Sequence, residues 1–89
     1  VHFTKFAAKQ LGKLPRSIQE AAYLWKEAVE QLGLPETMKS PGYHDEPLKG
    51  DRKGQRSVRL NRSYRLIYIR FDKGEVVIVG VQEVHKHDY

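Results

Sequence analysis

The sequence predicts an α+β domain in which two N-terminal helices pack on one face of a small, twisted, mostly antiparallel sheet. Up to Gly33, apolar residues recur at helical three- and four-residue steps; from Gln55 onward they alternate or run on in short β-branched stretches. The breaks between the later stretches are too short for crossover helices, so neighbouring strands are expected to pair antiparallel. The 89 residues suffice for one domain, 1–89, with one modest core, and no repeat, low-complexity tract or linker divides them.

Residues 1–3 fit a short edge strand, and Thr4 is a suitable N-cap for a first helix carrying Phe3, Ala7, Leu11 and Leu14 on one stripe. Gly12 weakens the end of that helix, and Pro15 punctuates it. Pro15 suits the first turn of the second helix, with Ser17 and Glu20 spaced as a capping box. Ile18, Ala21, Ala22, Trp25, Ala28, Val29 and Leu32 form its broad apolar stripe, in which Trp25 reads as core. Gly33 is a natural C-cap and Pro35 a stop, so 34–45 read as loop. Gln55–Asn61 alternates, with Arg56, Val58 and Leu60 on one face and Ser57 and Arg59 on the other. Tyr64–Phe71 is rich in β-formers, Asp72-Lys73-Gly74 signals a hairpin turn, and Glu75–Val84 reads as a central buried strand. Helices on one sheet face leave the other open, and Arg59 and Arg65 on adjacent strands are placed to project from it.

Composition narrows the function classes. There are no cysteines, which removes disulfides and thiolate metal sites and fits a cytoplasmic location. No apolar run approaches the roughly 18 residues of a membrane span, and no signal-peptide pattern is visible. Sixteen Lys and Arg against eleven Asp and Glu give a net charge of +5. The excess is local: Lys49 to Arg70 holds eight basic residues and one acid, Asp51, as expected of a surface for RNA, DNA, the ribosome or an acidic protein.

Three segments resemble the RelE/ParE toxin superfamily, in particular its HigB and YoeB branches. Glu46-Pro47-Leu48-Lys49-Gly50-Asp51-Arg52, followed at Gly54 by Gln55-Arg56-Ser57-Val58-Arg59, is similar to the "PLKGDR–G–WS–R" stretch of HigB-like toxins and the "EPLK" of YoeB-like ones. Tyr64-Arg65-Leu66-Ile67-Tyr68 is similar to the "YRLVY" strand, and His85-Lys86-His87-Asp88-Tyr89 to the "HHD–Y" ending. The resemblance implies a RelE-like fold, no cofactor, a cognate antitoxin as partner, and cleavage of mRNA in the ribosomal A site, where ribosomal RNA is also contacted. It carries Glu46 over as general base, Arg65 as the arginine on the scissile phosphate, and His87 as general acid, with His85 as the alternative after a register change. Lys49 and Arg52 match basic residues near the substrate and Arg59 a basic strand position of the RelE branch; Tyr89 is a candidate to stack on a base or orient the phosphate, and His44 is a second candidate base beside Glu46. The family tryptophan after the glycine is replaced by Gln55-Arg56.

RNA can be cut without a metal because its 2′-hydroxyl is the nucleophile. A base removes that proton, the oxygen attacks phosphorus, and an acid protonates the departing 5′-oxygen, each group contributing about 10²–10⁴ in rate. An arginine aimed at the phosphorane adds electrostatic stabilisation. His44, His85 and His87 with Asp45 and Asp88 lack the spacing of a helical histidine metal site, so none is expected. Two rivals belong to other classes: a ParE-like poison of DNA gyrase, and a catalytically inactive module that binds RNA or antitoxin.

Overall fold

The computed structural model describes residues 1–73 and 76–86. His87 and Tyr89, with Asp88 between them, lie outside the described residues, as do Gly74 and Glu75. The elements are β1 (His2–Phe3), α1 (Lys5–Gly12), α2 (Arg16–Leu32), α3 (Leu34–Met38), β2 (Glu46–Pro47), β3 (Gln55–Arg59), β4 (Tyr64–Lys73) and β5 (Val76–Lys86), with single 3₁₀ turns at Pro41–Tyr43 and Gly50–Arg52. The sheet order is β1-β5-β4-β3-β2, with β1 parallel to β5 and the other neighbours antiparallel. The α+β class, the mostly antiparallel sheet and the two long helices are as the sequence predicts.

The helices cover one sheet face because their apolar stripes have no other place to go. Ala7 and Leu11 of α1 and Ile18, Ala22, Trp25 and Val29 of α2 meet Val58, Leu66, Tyr68, Val79, Val81 and Val84 in one buried cluster. Trp25 and Tyr68 are both fully buried, with ring centroids 5.3 Å apart and planes tilted by 44°. Thr4 caps α1 by accepting from the Ala7 amide at 3.0 Å, and its own amide donates to the Val81 carbonyl, also at 3.0 Å. Where β1 ends, Gln10 takes over the edge of β5, its Oε1 accepting from the Val84 amide at 2.8 Å.

Several expectations are corrected. The 34–45 segment contains a third helix, α3, because Pro35 sits in its first turn, where the missing N–H is harmless, and Leu34 and Thr37 bury one side of it. Ser17 does not cap α2: Pro15 holds the N-cap position, no side chain bonds there, and Ser17 lies inside the helix. Leu32 turns out of the core at the last helical turn and is 63% exposed. Strand β4 runs through Asp72 and Lys73, with Lys73 paired to Val76, so those two residues extend the ladder rather than turn it; the rest of the expected turn lies outside the described residues. The two-residue strand β2 and a register shift in β5 are additions. Ile67 faces Glu83 but Tyr68 faces Val81, so Gln82 is the extra residue of a bulge. That bulge lets Val81 and Val84 both face the helices while Glu83 and His85 face away.

Candidate active site on the open sheet face

The face of the sheet opposite the helices carries a cleft of about 350 Å³ lined by His44, Glu46, Leu48, Arg52, Ser57, Arg59, Arg65, Ile67 and His85. Strand register explains the convergence. Arg59, Arg65 and His85 form one row across β3, β4 and β5; Glu46, Ser57, Ile67 and Glu83 form the next across β2 to β5. Residues two apart on a strand share a face, so both rows project from the same side.

Arg65 sits at the middle of the first row, on the central part of the sheet. It is 8% exposed, and its Nη1 donates to the carbonyls of Asn61 (2.9 Å) and Tyr64 (3.1 Å). Asn61 shapes this corner, its side-chain oxygen accepting from the Ser63 and Tyr64 amides. The guanidinium is therefore fixed by main-chain acceptors and pairs with no carboxylate among the described residues, which leaves its remaining donors for an anion in the cleft. Arg59 beside it is exposed.

The two walls hold the proton-transfer candidates. On the β2 side, Glu46 is exposed, and its Oε2 lies 3.4 Å from His44 Nε2. On the β5 side, His85 Nδ1 lies 3.0 Å from the Lys86 carbonyl. A carbonyl only accepts, so Nδ1 carries a proton and Nε2 is the nitrogen available for exchange. That Nε2 is 3.9 Å from Glu83 Oε1. Arg52 reaches across to pair with Glu83 and also donates from Nε to Gln55 Oε1 at 2.9 Å.

The structure thus brings together Glu46, His44, Arg52, Arg59, Arg65 and His85. Lys49 is exposed at the start of the 3₁₀ turn Gly50–Arg52 and does not line the cleft. The candidates His87 and Tyr89 lie outside the described residues. No group of three or more His, Cys, Asp or Glu among the described residues is placed to hold a metal ion. No helix among them is long and apolar enough to cross a membrane.

Sequence reasoning missed Ser57, Leu48, Ile67 and Glu83. Ser57 was within reach, since the alternation that turns Arg59 outward turns Ser57 the same way. It also missed Asp45, whose side chain is 1% exposed. Asp45 accepts from Arg56 Nε through Oδ1 and from the Tyr68 hydroxyl through Oδ2, both at 2.6 Å, on the helix side of the sheet. Burial, reinforced by the Asp45 carboxylate, pushes the Tyr68 phenol well above the ordinary tyrosine range, so it remains a donor.

Solved structures share this architecture. The YoeB/ParE toxin from Agrobacterium tumefaciens superposes with a TM-score of 0.72 at 18% identity, over 98% of this chain and 96% of that one. YafQ from E. coli strain BL21(DE3) gives 0.76 at 17% identity, over 96% and 89%. The toxin–antitoxin complex RelBE2 of Mycobacterium tuberculosis gives 0.62 at 28% identity, over 97% and 94%. The chain has the fold of the RelE/ParE toxin superfamily. No family model and no curated protein sequence matches it. Within this RelE-like fold, the cleft lies on the sheet face that the helices leave open.

Proposed function

We propose that this protein is an endoribonuclease toxin of a toxin–antitoxin pair that cleaves mRNA on the ribosome, using the RNA 2′-hydroxyl as nucleophile and no metal. The observation that carries the reading is the row Arg59–Arg65–His85 with Glu46 on the facing wall, all lining one cleft. In-line attack needs a base and an acid on opposite sides of the phosphorus. Glu46, with His44 at its flank, supplies the base from the β2 wall. His85 of β5, which lines the cleft, supplies the acid from the other, and His87 is the alternative. Arg65 stabilises the charge that grows on the non-bridging oxygens, and Arg59 holds the neighbouring phosphate. Leu48 and Ile67 give the cleft apolar lining against which a base can rest.

An antitoxin partner is supported by the toxin–antitoxin complex among the similar structures, and the basic surface of this chain suits an acidic segment of that partner.

The test is expression of the wild type and Arg65→Ala in a translation reaction with the mRNA ends mapped. Ribosome-dependent cuts bearing 2′,3′-cyclic or 3′-phosphate ends, lost in the variant and unaffected by chelator, are expected. Intact mRNA with arrested growth and cleaved DNA would instead move the assignment to a gyrase poison.

A further inference from the structure

We propose that Asp45 is a positioning residue for Glu46, and that Tyr68 and Arg56 act through it. The proposal rests on Glu46 working in the cleft as described above.

Strand β2 is too short to orient a side chain by itself. It has two residues, lies at the sheet edge, and makes its ladder with β3 only, Glu46 opposite Ser57 and Pro47 opposite Arg56. Proline contributes no amide to that ladder. Glu46 is exposed, and neighbouring side chains therefore do little to restrict it. Asp45 is its opposite in every respect. Its side chain is buried, and both carboxylate oxygens are taken by short bonds from Arg56 and Tyr68. Tyr68 in turn packs on Trp25 of α2, so the carboxylate is tied to the centre of the hydrophobic core. Successive residues of an extended chain point to opposite sides. With Asp45 locked toward the helices, Glu46 must turn toward the cleft.

The residue before the pair bears the same mark. His44 has φ 45° and ψ 49°, the left-handed conformation, and is the one non-glycine residue with positive φ among the described residues. Such a conformation persists only where the surroundings over-determine it. The His44 amide bonds to the Pro41 carbonyl on one side of this kink, and the Asp45 bonds hold the chain on the other. The kink places the His44 ring beside the Glu46 carboxylate. A backbone so fixed on both flanks sets the position of the base before substrate arrives.

The decisive variants are Tyr68→Phe, which deletes one donor to Asp45 without changing the packed ring, and Asp45→Asn, which keeps the size but replaces one acceptor with a donor that faces Tyr68 or Arg56. In the full chain, Tyr68→Phe is expected to lower the cleavage kcat on the order of 10- to 100-fold with little change in KM, since the base is misplaced and phosphate binding is intact. In a Glu46→Gln background the same change should cost almost nothing more, because Tyr68 then has no base to orient. A purely structural role predicts equal loss in both backgrounds and overturns the proposal. A second readout needs no cleavage. Side-chain couplings of Glu46 and the nuclear Overhauser contact between its methylenes and the His44 ring should report one rotamer in the wild type and averaging in either variant. If wild-type protein does not cut RNA, the function proposed above fails, yet the Glu46 rotamer still decides the positioning claim. An unchanged rotamer in a folded variant refutes it.

Discussion

Replacing Arg65 tests the site at its centre. Its place is set before any ligand binds: two main-chain carbonyls hold Nη1, and the residue is 8% exposed. A guanidinium carries N–H donors on Nε and both terminal nitrogens, so the carbonyls consume one terminal nitrogen and leave the others for a phosphate. An anchored donor of this kind needs no reorganisation as charge develops. Removing one such group typically costs 10²–10³ in rate, about 2.7–4 kcal/mol of barrier. Arg65→Ala should therefore cut the single-turnover cleavage rate by about 10²–10³, with the end chemistry unchanged. Arg65→Lys keeps the charge but has a single nitrogen, which serves either the Asn61 and Tyr64 carbonyls or the phosphate. It should recover less than about a tenth of the lost rate. Charged donors to those carbonyls contribute about 1.5–3 kcal/mol to stability. Each variant is therefore assayed well below its own unfolding midpoint. Full activity in Arg65→Lys would show that only net charge matters. Full activity in Arg65→Ala would remove Arg65 from the chemistry.

Three further outcomes follow from the same geometry. Arg59 is exposed at the cleft and holds phosphate in the proposed function, so Arg59→Ala should weaken binding to any RNA sequence alike and reduce the salt slope of binding to single strands by about 0.7; an unchanged slope in a filter-binding titration places Arg59 off the backbone path. The indole N–H of Trp25 is buried with no hydrogen-bond partner among the described residues. Trp25→Phe should leave urea stability within about 1–2 kcal/mol of wild type, because relief of that N–H offsets the small cavity, whereas Trp25→Ala should cost about 3–5 kcal/mol; equal losses would mean that the N–H is paired after all. The Tyr68 phenol is raised in the folded state by burial and by Asp45. Its contribution is complete below the unfolded tyrosine pKa of about 10 and declines as pH rises from there toward the folded value. The urea midpoint should fall above that pH in the wild type and fall less steeply in Tyr68→Phe; parallel curves would contradict the linkage.

The long elements were legible because their periodicity and their burial coincide. The stripe from Ile18 to Val29 is the buried side of α2, and the alternation around Val58 separates core from cleft. Arg65 was conspicuous as a charge between β-formers, a placement that demands fixed partners, and it has them. Short features escaped. Pro35 signals a helix start as well as a stop, and only the burial of Leu34 and Thr37 decides between the two. Asp45 and Glu46 read alike in sequence as an acidic pair, yet one is buried on the core side and the other exposed in the cleft. That division depends on Arg56 and Tyr68, 11 and 23 residues away, which local pattern cannot supply. The bulge at Gln82 likewise has no local signature, although it puts Glu83 and His85 on the cleft side.

The sheet order also bears on the birth of the protein. Strand β5 is synthesised after every other described element, yet it sits between β1 and β4. While translation is under way, the helices and earlier strands emerge around a gap. The Thr4 and Gln10 bonds have no partner until Val81 and Val84 arrive, and neither does the face of α1 that packs on β5. Pairing of residue 2 with residue 80 spans almost the whole chain, so the core closes late and in one cooperative step. The same insertion delivers His85 to the cleft wall. A nascent chain that stops short of β5 therefore lacks a closed core and a complete cleft together, and the two form in the same folding event.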